Sequence, residues 1–382
     1  MENDSKSLTT RTDLKSFIVP TKLDNVDINQ KYGNSDFQTS DLVYLESYPD
    51  IKNIPKKERI VYPTDYALMD GCYTSYKDLG LMKKGSCQVW LRTGQESHNV
   101  FYTDLDGYCD NYTYTYDANL AICPRLRLDL SAVISARKLS QDVFKINDVV
   151  NKNGRVLYHT IEFGEYPKTY VGDTKNEELE KLYSEKSLVN TSKTYTGRYI
   201  EDDGELAMYP EFEHEGQKYV RVITKRWNEG SCQFSDGTMS PKSGTPLWAK
   251  VEPITWKIKN WEDMPWSINP QGNGSTNFID VRAEYGIMSG IPFYTFDFDK
   301  NCSMWQNSII RAQLNGYNTH QEIANGNGNS KYIAEENFDF TKNNFLNEAF
   351  SNYIVFSKET QVDVTKRKGY GIRIANKPLS VD

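Results

Sequence analysis

Apolar residues recur at every second position in short runs, and the helical patterns are all brief. That combination constrains the fold more than any other feature. Leu126-Arg-Leu-Asp-Leu130 alternates apolar and polar residues and predicts a half-buried strand. Tyr112-Thr-Tyr-Thr-Tyr116 alternates strictly, with β-formers on both faces. Residues 88–92 and 99–103 predict two more strands, and Asp106-Gly107 is a turn signal beyond them. Val156 to Phe163 and Val251 to Ile258 read as strands, with Pro253 near the start of the second. Phe163-Gly-Glu-Tyr-Pro167 reads as a turn or an edge, and Phe212 to Ile223 as a hairpin around Glu215-Gly216. Leu42-Val-Tyr-Leu45 is a short strand-like run, whereas residues 1–40 are weakly patterned and predict an irregular arm.

The helices are few. Thr64 caps Asp65 to Met69, and Glu/Lys pairs at helical spacing mark an exposed helix from Asn176 to Ser187. Ile310 and Leu314 give Asn307 to Leu314 an apolar face, ended by Gly316, and Phe345 to Phe350 forms a second apolar helix. Residues 227–247 and 263–278 are long loops. Together these predict an α+β protein of twisted antiparallel sheets, short helices and long loops.

At 382 residues the length predicts two or three domains. The polar stretch 138–153, closing on Asn151-Lys-Asn-Gly154, divides the chain into 1–145 and 150–382. A net charge of −7 argues against a nucleic-acid partner, which wants a basic face. The clusters Lys56-Lys57-Glu58-Arg59 and Lys366-Arg367-Lys368 read as solvated loops. No apolar run reaches the ~18 residues of a membrane span, and Met1-Glu-Asn-Asp-Ser-Lys6 has no apolar signal region. A cytoplasmic or phage-associated location is therefore expected.

Cys72, Cys87, Cys109, Cys123, Cys232 and Cys302 are too sparse for a disulfide framework and read as reduced, structural thiols. With His98, His159, His214 and His320 scattered, spacing gives no zinc site, and no cofactor is expected. Asp297-Phe-Asp-Lys-Asn301 has oxygens at alternating positions but lacks the Gly and Glu of an EF-hand. Asp104, Asp106 and Asp110 leave open a less regular calcium site or a solvated turn. Glu201-Asp202-Asp203 reads as a solvated loop, and no nucleophile-elbow, Walker, dinucleotide or zinc-protease motif occurs.

Trp256 and Trp305 read as core, each with its N–H satisfied locally; Asn307 and Ser308 read as loop caps. Arg311 reads as a guanidinium holding a carboxylate or carbonyls, and Arg92 and Arg125 likewise. The surplus of 26 Tyr over 16 Phe suits contact-making surfaces. It concentrates in residues 95–119, a stretch rich in Tyr, Asn, Asp, Ser and Thr, which is the composition of adaptable binding surfaces. The candidate ligand-binding residues are His98, Asn99, Tyr102, Asp104, Tyr108, Asn111, Tyr112, Tyr114, Tyr116 and Asn119. The competing reading is that Tyr112, Tyr114 and Tyr116 only cover a sheet face.

Phe163-Gly-Glu-Tyr-Pro-Lys-Thr169, Val251-Glu-Pro-Ile-Thr-Trp256, Trp305-Gln-Asn-Ser-Ile-Ile-Arg311 with Leu314-Asn315, and Phe345-Leu-Asn-Glu-Ala-Phe350 form one set of phrases. Arg59 with Thr64-Asp-Tyr-Ala67, Trp90-Leu-Arg92, Gly107 and Pro124-Arg-Leu126 form another. Together they resemble an uncharacterised domain family of Firmicutes and their phages, similar to C-type-lectin-like and formylglycine-generating-enzyme-like folds. The resemblance covers roughly 60% of the chain by these phrases. It departs in two ways: the halves stand in reverse order, and Cys123 replaces the usual Arg before Pro124. Residues 1–145 then hold an arm plus the back half, and 150–382 the front half with inserts, as one circularly permuted domain or two incomplete ones. The resemblance implies a non-enzymatic recognition module for a protein or glycan, as in phage and bacterial receptor-binding proteins. Two alternatives stand beside it: an oxidase of formylglycine-generating type, for which Cys109 and Cys123 are the metal-site candidates, and a sensory or scaffolding region of a larger cytoplasmic protein.

Overall fold

Pro246 to Ile258 form a thirteen-residue strand around which the main sheet is organised. Leu247, Ala249, Val251, Ile254, Trp256 and Ile258 are buried, so the alternation seen in the sequence is the pattern by which this strand enters the core. One edge of the strand pairs with Val156–Tyr170. Its other edge is divided: Gln217–Ile223 pairs with the first half and Phe278–Ala283 with the end. Pro253, which has no N–H to give, lies beside a register shift in the Val156–Tyr170 pairing.

The computed structural model describes residues 9–25, 37–96, 98–133, 144, 146–200, 205–225, 233–239, 243–294, 303–317, 338–351 and 353–357. In chain order the elements are β1 (Thr9–Asp13), β2 (Thr21–Asn25), β3 (Phe37–Asp41), β4 (Val43–Tyr44), α1 (Tyr48–Lys52), α2 (Lys56–Arg59) and α3 (Asp65–Met69). Then come β5 (Val89–Glu96), β6 (Asn99–Thr103), β7 (Asn111–Tyr114), β8 (Arg125–Asp129), β9 (Ile146–Val150), β10 (Val156–Tyr170) and α4 (Asp173–Ser184). The series closes with β11 (Val189–Ile200), β12 (Glu205–His214), β13 (Gln217–Ile223), β14 (Pro246–Ile258), β15 (Phe278–Ala283), α5 (Ile309–Asn315), α6 (Phe345–Phe350) and β16 (Tyr353–Ser357).

The protein is α+β, with antiparallel sheets and few helices. The main sheet has the order β11-β12-β13-β14-β15-β8-β4, with β10 and then β9 branching from β14. β8 comes from the first stretch of sequence and β15 from the second, in register from Phe278 opposite Asp129 to Arg282 opposite Arg125. β4 continues the sheet beyond β8. One core cluster takes Val43, Leu126 and Leu128 from the first stretch and Trp256, Val281, Ile310 and Phe345 from the second.

Several expectations are corrected. The arm of residues 1–40 carries β1, β2 and most of β3: β1 pairs with β16, and β2 with β3. Strand preference depends on the partner, and these partners are distant or undistinguished in sequence. Phe163 to Pro167 do not end a strand; β10 runs through them with register shifts. Gly164 makes this possible, with φ +73° and a phenyl carbon of Phe350 only 2.4 Å from where a Cβ would stand. Tyr48 to Lys52, for which the sequence predicts no element, form a helix held by a capping box between Ser47 and Asp50. Asp297 to Asn301, Glu201 to Asp203, Cys232, Cys302, His320, most of 138–145 and the stretch 366–382 lie outside the described residues.

The motif residues act as scaffold. The Trp256 indole donates to Phe163 O at 2.7 Å. The Trp305 indole is satisfied by the Asp41 carboxylate at 2.8 Å, a distant partner and not a local one. Arg311 donates to the same carboxylate at 2.9 Å and to Gln306 O at 3.2 Å. Arg92 donates to Leu45 O at 2.7 Å and Asp50 at 3.0 Å, and Arg125 to Asp280 at 2.9 Å. Ser308 caps α5, and Gly316 ends it at φ 74°.

Two buried carboxyls lie beneath β11 and β12. Glu348 accepts from Thr196 N at 3.0 Å and from Tyr166 Oη at 3.1 Å, and Asp70 accepts from Tyr209 Oη at 2.7 Å. Burial pushes both up to about 7. The folded protein therefore keeps two protons that the unfolded chain releases above its ordinary carboxyl range. Their contribution is full below about pH 4 and is lost as pH rises to about 7, on the order of a few kcal/mol. Asp70→Asn with Glu348→Gln imitates the protonated pair and should flatten the melting temperature between about pH 5 and pH 8. An unchanged slope in that double variant would assign the pH dependence to other groups.

Candidate functional site

The stretch 95–119 folds onto the three-stranded sheet β5-β6-β7. Cross-strand partners share a face, and the register sets Asn99 opposite Tyr114 and Phe101 opposite Tyr112. The other face carries Val100 and, on β5, Trp90, both in the main core. On the first face Leu91, Phe101, Cys109 and Ile51 of α1 make a small separate core. Beyond it Tyr112 and Tyr114 stand out at 51% and 48% exposure.

These tyrosines belong to a ridge of rings. Tyr114 stacks on His98 at 5.7 Å and 10° and on Tyr116 at 5.1 Å and 6°. Tyr112 meets Phe101 edge-on at 6.5 Å. The ridge sits on β7, which pairs with β6 and, among the described residues, with no strand on its other edge. Thr115 N donates to His98 O at 2.9 Å, so the ladder continues past the end of the strand and holds His98 beside Tyr114.

The ten predicted residues divide into two groups. His98, Tyr112, Tyr114 and Tyr116 come together as the ridge. Asn111 donates to Asp104 at 3.1 Å, and Asp104 also accepts from Gln88 at 3.1 Å and Leu105 N at 2.7 Å, which fixes the β6–β7 loop. Asn99 is buried, and the Asn119 carbonyl accepts from Tyr73 N. Tyr102 packs on the main core, and burial pushes its hydroxyl up to about 12. Tyr108 lies under the Lys56 ammonium, 4.5 Å from the ring centre.

Two neighbours were missed in the sequence. Tyr48 stacks on Phe101 at 4.6 Å and donates to Asp110, and that hydrogen bond pushes its hydroxyl up to about 12. Lys56, expected in a solvated loop, instead begins the helix Lys56–Arg59, whose Arg59 is buried. The capping box Ser47-Tyr-Pro-Asp50 was the available signal for the helix that brings Tyr48 here.

The carboxylates of Asp104, Asp106 and Asp110 serve separate donors: the Asn111 group just described, Tyr108 N, and Tyr48. Among the described residues no three His, Cys, Asp or Glu side chains gather as a metal site. Cys109 lies in the small core, accepting from Arg59 at 2.9 Å, whereas Cys123 lies in the main core, donating to Ala283 O at 3.1 Å. Burial pushes both thiols up, away from the thiolate that binds metals. Among the described residues no helix is long and apolar enough to cross a membrane.

Comparison of the chain with protein-family models, with curated proteins and with solved structures returns no match.

Proposed function

We propose that this chain is a non-catalytic recognition module that binds a protein or glycan through the ridge of His98, Tyr112, Tyr114 and Tyr116. The reading is carried by one observation: two half-exposed tyrosines, Tyr114 stacked on His98 and Tyr116 and Tyr112 edge-on to Phe101, on a strand with no partner strand on its outer edge among the described residues. Pre-stacked tyrosines give up little conformational freedom on binding and offer both an aromatic face and a hydroxyl. The open edge favours an extended polypeptide, which would add main-chain hydrogen bonds to aromatic contact. The scaffold would be C-type-lectin-like, with the second half of that fold supplied first in the chain, and the location cytoplasmic or phage-associated.

The double substitution Tyr112→Ala with Tyr114→Ala tests this. Both side chains lie outside the cores, so stability should fall by less than about 1 kcal/mol. Binders selected from peptide and glycan arrays with the wild-type chain should lose at least tenfold in affinity, because central aromatic anchors are worth about 2 kcal/mol or more each. Binders that the variant retains at full strength would place the recognition surface elsewhere.

A further inference from the structure

A second concavity lies outside the ridge. A cleft of about 280 Å³ is lined by Tyr62, Asp65, Lys84, Gln233, Ser235 and Tyr285 among others, and among the described residues its lining includes none of 95–119. Small-ligand sites start at about 300 Å³, so this one suits a single ring. Two of its polar groups are pinned in advance. The Ser235 hydroxyl donates to Asp65 at 2.6 Å, and its backbone N–H donates to the same carboxylate at 2.8 Å. The hydroxyl oxygen is thereby left to accept from a ligand. Gln233 donates one amide N–H to Gly237 O at 2.7 Å, which fixes the amide plane. Burial pushes the Asp65 carboxyl up, as is common where a cleft gathers polar groups.

We infer that this cleft binds one pyranose ring, with Tyr62 and Tyr285 against its apolar faces and Ser235 and Gln233 bonded to its hydroxyls. Hydroxyl and amide side chains both donate and accept, which matches the two-way bonding of sugar hydroxyls better than that of a fixed ion. Tyrosine rings supply the apolar surface that the axial C–H groups of a pyranose need. Among the described residues Lys84 is the one cation of the lining, and it favours a sugar that carries a carboxylate. The inference does not rest on the ridge, because the residues that line the cleft are not those of the ridge.

Saturation-transfer NMR titrations of the full chain with glucose and with glucuronate provide the test. Both sugars should bind saturably in the millimolar range, glucuronate about three- to tenfold more tightly. Tyr62→Ala should weaken both at least tenfold while keeping its cooperative melt. Lys84→Met should remove only the advantage of glucuronate. Gln233→Ala, at an exposed position, gives the same readout if Tyr62→Ala does not fold. No saturable signal from either sugar overturns the inference, as does full binding by folded Tyr62→Ala or Gln233→Ala. Equal affinity for the two sugars overturns the role of Lys84.

Discussion

Replacing Asp41 with Ala should lower the free energy of unfolding by about 3–5 kcal/mol in urea denaturation. Asp41 is 0% exposed, and its carboxylate accepts from Arg311 at 2.9 Å, from the Trp305 indole at 2.8 Å and from Thr39 at 2.8 Å. Removing it takes the Asp41 carboxylate away from a guanidinium that is itself buried, and from the Trp305 indole N–H. The interaction joins β3 to α5, so the loss falls on the contact between the two stretches of sequence and not on a local turn. Arg311→Met should cost less than Asp41→Ala, because the carboxylate it leaves behind still accepts from the Trp305 indole and Thr39. The double variant should then be more stable than the Asp41 single variant. A cost below about 1 kcal/mol for Asp41→Ala would mean that water or a rearranged side chain takes over the carboxylate.

Residues 1–145 and 150–382, expressed separately, should each lack a cooperative thermal transition, and mixing them should restore one. Without the second stretch, β8 loses β15, and Val43, Leu126 and Leu128 lose the facing side of their core. Without the first, β15 presents Phe278 to Arg282 as an open edge, and the Trp305 and Arg311 donors have no Asp41. The net stability of an ordinary domain is only about 5–15 kcal/mol, so losing a shared sheet edge and core wall should unfold either piece. Calorimetry of each piece and of the mixture gives the answer; an independent melt of either piece would show that its core closes by itself.

Local chemistry was legible where a residue answers only to its neighbours in sequence. Glu215 and Gly216 turn the β12–β13 hairpin with φ of 53° and 75°, Thr64 caps α3 through Ala67 N, and Gly316 ends α5. Alternation found β8 and β14 because one side of each is buried. What the sequence could not supply was the partner of each strand. β1 has no signal of its own, and its pairing with β16 is a property of the whole fold. Val156 to Pro167 looked interrupted at Gly164 because a bulge and a turn share the same residue preference. At the site, alternation placed Tyr112 and Tyr114 on one face. Whether that face is covered or displayed depends on what lies across it, and α1 stops short of them. Asp104 looked like a ligand residue because loop-fixing and metal-binding carboxylates have the same spacing; only its three donors separate the two.

The pairing of Thr9 with Ser357 also sets a clock. At a ribosomal rate of about 5–20 residues per second, β1 is made roughly 20–70 s before β16 exists. Through that interval β1 waits for its partner strand, and for a shorter time β8 has β4 on one edge but not yet β15 on the other. The nascent chain is then most open to capture by chaperones or by its own neighbours, and yield on expression should respond to translation speed and holdase supply more than to the stability of the finished fold.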